Sequence, residues 1–169
     1  MNDMQAKIEG RRRILEQLAG MIPGYSQYQQ QEKRRDADKQ NRDFLYAELR
    51  TAVSDVGKLA LSLTGEGKLE ALADIDRVER KLRTVADRIR LADYGYAGFF
   101  DAFKIQEQEL DMLYQFDLSL AALVKQIKDA GSKLSSMGDK TQALADLDKA
   151  IEELDSRFDE REKVIMGVR

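Results

Sequence analysis

Residues 144–168, LADLDKAIEELDSRFDEREKVIMGV, decide the fold of this chain. Taken alternately three and four positions apart, they read Leu144, Leu147, Ile151, Leu154, Phe158, Arg161, Ile165 and Val168. Apolar residues at this spacing form the heptad seam along which a long amphipathic helix packs against its neighbours. The sequence therefore predicts a rod-like helix whose packing seam is interrupted once, by Arg161.

The same pattern recurs in other segments, which are separated by short stretches that contain Gly, Pro or Ser. The predicted fold class is all-α: an elongated antiparallel helical bundle of about five helices with coiled-coil-like heptad seams. We expect one domain over residues 1–169. Its predicted segments are an amphipathic N-terminal helix at 1–22, a long helix at 26–64, a helix at 67–93, an aromatic, glycine-containing connection at 94–105, a helix at 106–130 and a helix at 139–166.

The long helix predicted at 26–64 has two unlike halves. From Leu45 onward it carries an apolar seam, whereas residues 29–43 contain Ala37 as their only apolar residue. Opposite charges four residues apart favour a helix in the first half, although that half has nothing apolar to bury. Such a helix would be about 58 Å long at 1.5 Å per residue, so we expect it to protrude from the bundle.

Two short motifs predict where helices begin. Ser26 followed by Gln29 has the pattern of a capping box, in which the two side chains bind free backbone N–H groups of the first turn. Asp139 followed by Gln142 has the same form ahead of the last helix. We therefore expect helices to begin close to Ser26 and Asp139.

The composition excludes several kinds of chemistry. The chain has 28 Lys and Arg, 31 Asp and Glu, and neither His nor Cys. Without imidazole or thiol groups it has no Ser–His triad, no thiolate nucleophile and no His or Cys zinc site. The mixed charge is not that of a polycation, so nucleic acid is not expected as the main partner. We predict no catalytic residue, no cofactor, no metal site and no enzymatic activity.

The N-terminal sequence and the hydropathy give an expected location. The first twenty residues are rich in charge and lack the apolar core of a signal peptide. The longest nearly apolar run, residues 118–124, is far shorter than the roughly 20 residues that span a bilayer. We expect a cytoplasmic protein, either free or peripheral to the inner face of the membrane.

Two aromatic stretches are candidate contacts for a partner. One combines aromatic and basic residues in the half of the predicted long helix that lacks an apolar seam. Its alternative role is a solvated, ion-paired extension of that helix. The other lies in the 94–105 connection, and its alternative role is a hydrophobic plug at the end of the bundle. The glycines of this connection predict a chain reversal. The heptad phase nevertheless continues across it, as it would in one uninterrupted helix. The candidate contacts are Tyr25, Tyr28, Arg34, Arg35, Tyr94, Tyr96, Phe99 and Phe100.

The N-terminal helix combines an apolar stripe with a basic face. This composition is typical of helices that lie on a membrane surface, although packing onto the bundle would use the same stripe. The candidate membrane-surface residues are Lys7, Arg11, Arg12 and Arg13.

Three strings in the chain, IPGY at 22–25, RRDADK at 34–39 and YGYAGFF at 94–100, resemble strings that recur in uncharacterised bacterial all-helical proteins of similar length. The resemblance implies a bacterial, intracellular setting and no activity. In layout, an amphipathic first helix followed by a long hairpin is also similar to the phage-shock and other membrane-remodelling helical proteins.

These observations favour a non-catalytic helical scaffold or adaptor that acts through protein–protein association, self-association included. The alternative is a peripheral membrane-surface protein anchored by its N-terminal amphipathic helix, which would bind anionic lipid in a salt-sensitive way.

Overall fold

The fold is seen in a computed structural model that describes residues 2–92, 96, 100 and 107–167. The described residues contain no strand and are mostly helical, so the predicted all-α helical bundle is confirmed. Short 3₁₀ turns lie at Tyr25–Gln29, Gln31–Lys33 and Leu134–Ser136. The α-helices of the described residues are α1 (Asp3–Met21), α2 (Arg34–Gly65), α3 (Leu72–Arg90), α4 (Glu107–Lys133) and α5 (Lys140–Gly167).

Four of these helices form two antiparallel hairpins. In the first hairpin, Arg42 near the start of α2 donates to the backbone carbonyl of Arg90 at the end of α3, at 2.7 Å. In the second, Asp117 near the start of α4 lies beside Arg161 near the end of α5. Within each hairpin the helices therefore run in opposite directions, as expected for the predicted antiparallel bundle.

The two hairpins lie side by side in the same orientation. Asp38 of α2 and Asp117 of α4 both bind Arg161, and about ten residues further along each helix Glu48 of α2 binds Lys128 of α4 at 2.8 Å, so α2 runs parallel to α4. Helix α3 likewise runs parallel to α5, with ion pairs along their shared length. These pairs are Arg77–Asp148, Lys81–Glu152 and Arg88–Asp155.

The core lies between the two hairpins. The apolar seam of residues 144–165 is buried as predicted, with Ile151, Leu154 and Phe158 fully enclosed. Helices α2 and α4 approach closely at Gly131 of α4, where an added Cβ would lie 3.4 Å from the Cα of Ala52 on α2. Small residues at these two positions let the backbones of α2 and α4 approach each other.

Helix α1 packs outside the four-helix core. It runs parallel to α4, since Arg11 binds Asp111 and Met21 lies beside Lys125. The C-terminal half of α1 buries its apolar stripe, which includes Leu18. Its N-terminal half leaves the apolar side chains of Met4 and Ile8 exposed, while Arg11 near the middle of α1 binds α4.

For the first half of the long helix, the predicted start and the predicted protrusion from the bundle are wrong, although residues 34–43 are helical. Helix α2 begins at Arg34, and the predicted capping box does not form, because residues 25–29 are a 3₁₀ turn that follows Gly24 at φ 78°. Residues 34–43 do not protrude. They bury polar side chains, Asp38 and Arg42 among them, against the other helices.

The remaining predicted boundaries are close to the observed ones. The backbone N–H of Gln142 donates to Oδ1 of Asp139 at 3.0 Å, as the cap ahead of α5 predicts. Most of the 94–105 connection lies outside the described residues. The helices predicted at 1–22, 67–93, 106–130 and 139–166 correspond to α1, α3, α4 and α5.

The close approach of α2 and α4 predicts different effects for two substitutions of Gly131. Gly131→Ala changes the free energy of unfolding by about 1 kcal/mol or less, because the added Cβ meets Ala52 at ordinary contact distance and Ala favours a helix. Gly131→Leu costs roughly 1–3 kcal/mol, because the larger side chain overpacks the interface. Urea denaturation measures both, and equal effects would contradict this view of the interface.

Candidate functional site

A cluster of ionic side chains lies inside the bundle and consists of Asp38, Arg42, Asp117 and Arg161. We call it the buried ion cluster. Arg161 has no exposed surface; its Nε donates to Oδ1 of Asp117 at 2.6 Å and its Nη2 to Oδ1 of Asp38 at 2.5 Å. Nε of Arg42 donates to the second oxygen of Asp38 at 2.8 Å. Two carboxylates thus balance two guanidinium groups and join α2, α4 and α5.

Two tyrosines from the 3₁₀ turn after α1 complete this cluster. The Tyr25 hydroxyl donates to Oδ2 of Asp117 at 2.5 Å, and the Tyr28 hydroxyl donates to Oδ1 of Asp38 at 2.8 Å. Nη2 of Arg161 also donates to the Tyr28 hydroxyl at 3.3 Å. Hydrogen bonds to charged groups are stronger than neutral ones, so these two tyrosines fasten the N-terminal segment to the bundle.

Burial and charge shift the pKa values of the two carboxyl groups in opposite directions. Burial favours the neutral form of Asp38, but Arg161 and Arg42 outweigh it and hold its pKa below the usual value. Asp117 is bound by Arg161 and Tyr25, and there burial prevails, so its pKa is raised. The Asp117 carboxylate is therefore the more costly of the two charges to keep in the core.

Some buried polar atoms near the start of α2 and in α5 are not hydrogen-bonded. Within the described part of the chain, Nη1 of Arg161 and both amide atoms of Asn41 have no partner. Unpaired buried polar atoms destabilise a fold, and buried ion pairs are often no better for stability than apolar residues of similar size. We interpret the buried ion cluster as a device that specifies how the helices and the N-terminal segment fit together.

The aromatic candidates for partner contacts lie mainly inside the fold. Tyr25, Tyr28, Tyr96 and Phe100 are between 0% and 4% exposed. With Tyr114 they form an aromatic cluster in which neighbouring ring centroids are 4.7 to 6.3 Å apart. The four buried side chains are thus not surface contacts for a partner, because the bundle itself surrounds them.

The other candidate contacts differ in position. Tyr94 and Phe99 lie outside the described residues. Arg34 is half-buried at the start of α2, where its Nε donates to the backbone carbonyl of Tyr28 at 2.9 Å. Arg35 is exposed. Of the predicted partner contacts in the described part of the chain, only the two arginines reach the surface.

The predicted membrane-surface residues of α1 are mostly engaged in ion pairs. Lys7 pairs with Asp3 at 3.5 Å and Arg12 with Glu16 at 2.8 Å, both one helical turn away. Arg11 reaches α4, where it binds Asp111 at 2.5 Å and Glu107 at 3.3 Å. Arg13 is exposed. The basic face of α1 is therefore largely neutralised by acidic groups of the same chain.

A groove of about 710 Å³ opens between α1, the Tyr25–Gln29 turn and the start of α4. We call it the α1 groove. Its apolar lining includes Ile8, Leu15 and Leu110, and the Tyr114 ring adds an aromatic wall. Arginines of α1 and Arg34 of α2 line it as well. The groove therefore presents apolar and cationic groups together.

Comparisons with known proteins do not assign the chain to a class. No family model, no curated protein and no solved structure matches it. Among the residues that the structure describes, no helix is both long and apolar enough to cross a bilayer, and no acidic cluster is arranged to hold a metal ion. The geometry of the described residues is therefore the basis for proposing a function.

Sequence reasoning recognised Arg161 but missed its carboxylate partners. Continuing the seam of α2 backward from Leu45 in steps of three and four reaches Arg42 and then Asp38. The seam of α4 likewise passes through Asp117. Charged residues at seam positions were the signal that these side chains belong to the core.

The geometry of the cluster predicts a large cost for Arg161→Met, since this substitution leaves the buried Asp117 carboxylate without its cation. We expect a loss of about 3–5 kcal/mol in the free energy of unfolding. Adding Asp117→Asn recovers at least half of that loss by removing the unpaired charge. Chemical denaturation measures each variant, with Arg157→Met on the exposed face of α5 as the control. Equal losses of stability in Arg161→Met and Arg157→Met would show that Arg161 does not stabilise the buried carboxylates.

The buried phenols predict an unusual titration. Burial, together with the neighbouring carboxylates, raises the pKa of Tyr25 and Tyr28 well above the usual value. Both phenols therefore stay protonated in the folded chain at the pH, near 10, at which unfolded tyrosine ionises. The stability that this difference contributes is present below about pH 10 and is lost as pH rises through the folded-state pKa values.

Tyrosinate absorbance measures this titration in the folded chain. Tyr25→Phe and Tyr28→Phe should leave the rise in absorbance near pH 10 unchanged, because neither phenol contributes to it. A rise that is smaller by one tyrosine in either variant would show that the phenol is accessible.

Proposed function

We propose that this protein is a non-catalytic helical scaffold or adaptor, and that it associates with a protein partner or a second copy of itself through the exposed face of α1. The observation that carries the proposal is the exposure of Met4 and Ile8, which are 67% and 57% accessible. They are one helical turn apart and so lie on the same face. An exposed apolar pair on a helix is a suitable anchor for a partner.

The way α1 is held supports this proposal. Leu15 and Leu18 pack its C-terminal half onto the bundle, and the two tyrosines that follow are fastened to the buried ion cluster. The bundle therefore presents the N-terminal half of α1 in a fixed orientation. A pre-ordered surface loses less conformational entropy on binding than a disordered segment does.

The absence of catalysis is part of the same proposal. The chain has no His or Cys, and the ionic side chains that burial perturbs most are enclosed by helices. Asp117 and Arg161 have no exposed surface. A general acid or base must come within hydrogen-bond reach of its substrate, which these groups do not.

The membrane-surface alternative receives less support. Attraction to anionic lipid depends on free cationic side chains, and Lys7, Arg11 and Arg12 of α1 each pair with a carboxylate. We therefore favour a protein partner over a lipid surface, in the bacterial cytoplasmic setting that the sequence resemblance implies.

In-cell cross-linking and purification of the tagged full-length chain test the proposed function. We expect specific cross-linked partners, or a dimer of the chain, with wild type. The double variant Met4→Glu/Ile8→Glu should lower their recovery by about tenfold or more, which corresponds to about 1.4 kcal/mol of binding free energy.

The matched control is Leu61→Glu, which changes an exposed apolar residue near the C-terminal end of α2. Recovery of partners or dimer should be unaffected in this control. Equal recovery with wild type and the α1 variant, with sedimentation velocity showing a monomer for both, would contradict the assignment of this surface.

A further inference from the structure

The α1 groove has the size and lining of a small-molecule site. Its volume of about 710 Å³ lies within the roughly 300–1,000 Å³ typical of ligand pockets. Leu15, Leu110 and Tyr114 form an apolar floor that is almost fully enclosed by protein, and Ile8 at the edge is more than half exposed. An aliphatic chain in the groove would cover Ile8 and extend the apolar contact.

One cation in this groove lacks a carboxylate. Nε of Arg34 is satisfied by the backbone carbonyl of Tyr28. Within residues 2–92 and 107–167, no carboxylate pairs with Arg34. The planar guanidinium group keeps two NH₂ groups that can bind a carboxylate through paired hydrogen bonds.

The charges around the groove define the charge of the ligand. Arg11 is neutralised by Asp111 and Glu107, and Arg12 by Glu16. Among the described residues of the lining, Arg34 is the positive charge that remains, and Glu16 and Glu107 in the same lining would repel a multiply charged anion. The groove is thus complementary to one negative charge.

The groove lining contains a tyrosine as well as the Arg34 guanidinium group, because Tyr114 and Arg34 both contribute to it. Burial raises the pKa of the Tyr114 hydroxyl, whereas the Arg34 and Arg11 guanidinium groups act to lower it. A carboxylate bound to Arg34 would lie in the same groove as the apolar floor formed by Leu15, Leu110 and Tyr114.

We propose that the α1 groove binds a small amphipathic monocarboxylate, with its carboxylate on Arg34 and its aliphatic chain along Leu15, Leu110 and Tyr114. The match of one uncompensated cation to one anion, beside an apolar floor, carries the proposal. This binding goes beyond the proposed association with a protein partner. The two surfaces share Ile8, whereas Met4 is not part of the described groove lining.

Titration calorimetry with the full-length chain tests the ligand class. Decanoate is the probe, and decanol and decyltrimethylammonium are controls with the same chain length and a neutral or cationic head. We expect decanoate to bind at least about tenfold more tightly than either control, because a hydrogen-bonded ion pair depends on the carboxylate. Equal affinity for decanoate and decanol, or no binding of decanoate, would overturn the proposal.

Neighbouring arginines give a matched pair of variants. Arg34→Gln should weaken decanoate binding by about tenfold or more, Arg34→Lys should recover part of the loss, and the exposed Arg35→Gln should leave binding unchanged. Equal weakening by Arg34→Gln and Arg35→Gln would show general attraction of the anion to a basic surface and overturn the site.

A steric variant keeps the test decisive if Arg34→Gln is poorly folded. Ala19 lines the groove at an exposed position of α1, so Ala19→Phe fills the space with little effect on folding. This variant should abolish decanoate binding, and unchanged binding would place the ligand elsewhere. Met4→Glu leaves the groove lining intact and should still bind decanoate, which separates this result from the test of partner association.

Discussion

The contact of Arg161 with Asp117 and Asp38 is the interaction on which the rest of the structure depends. It joins the two hairpins at one end, because its guanidinium group belongs to α5 and the carboxylates to α4 and α2. A buried guanidinium group without both partners would be strongly unfavourable. The arrangement therefore selects one register between the two hairpins. In this register Asp38 and Asp117 lie at the same height along the bundle axis.

The same contact sets the position of α1. Tyr25 and Tyr28 supply hydroxyl groups to the two carboxylates, so the turn after α1 can dock only where those oxygens lie. Docking of this turn aligns α1 along α4 and creates the α1 groove between them. The two proposed activities of the protein, partner association and carboxylate binding, both depend on this placement of a peripheral helix by a buried polar cluster.

The sequence predicted the helices better than it predicted the cluster, for physical reasons. Apolar periodicity indicates directly which residues are buried, so the seam around Leu154 and Phe158 was sufficient to predict helix α5. Charged residues such as Asp38 have many possible partners, and only tertiary packing selects Arg161 among the cations. The 3₁₀ turn was missed because its conformation depends on the distant contacts of Tyr25 and Tyr28, whereas local sequence there favoured a helical start.

The central claim is that the hydroxyl groups of Tyr25 and Tyr28 hold α1 onto the bundle, and hydrogen exchange measured by mass spectrometry tests it most directly. The comparison is between wild type, the Tyr25→Phe/Tyr28→Phe double variant and Tyr46→Phe, whose hydroxyl lies outside the cluster. Our account predicts that amides of α1 exchange about tenfold faster or more in the double variant alone, while α2 to α5 keep their protection. Unchanged protection of α1 in the double variant would contradict the account.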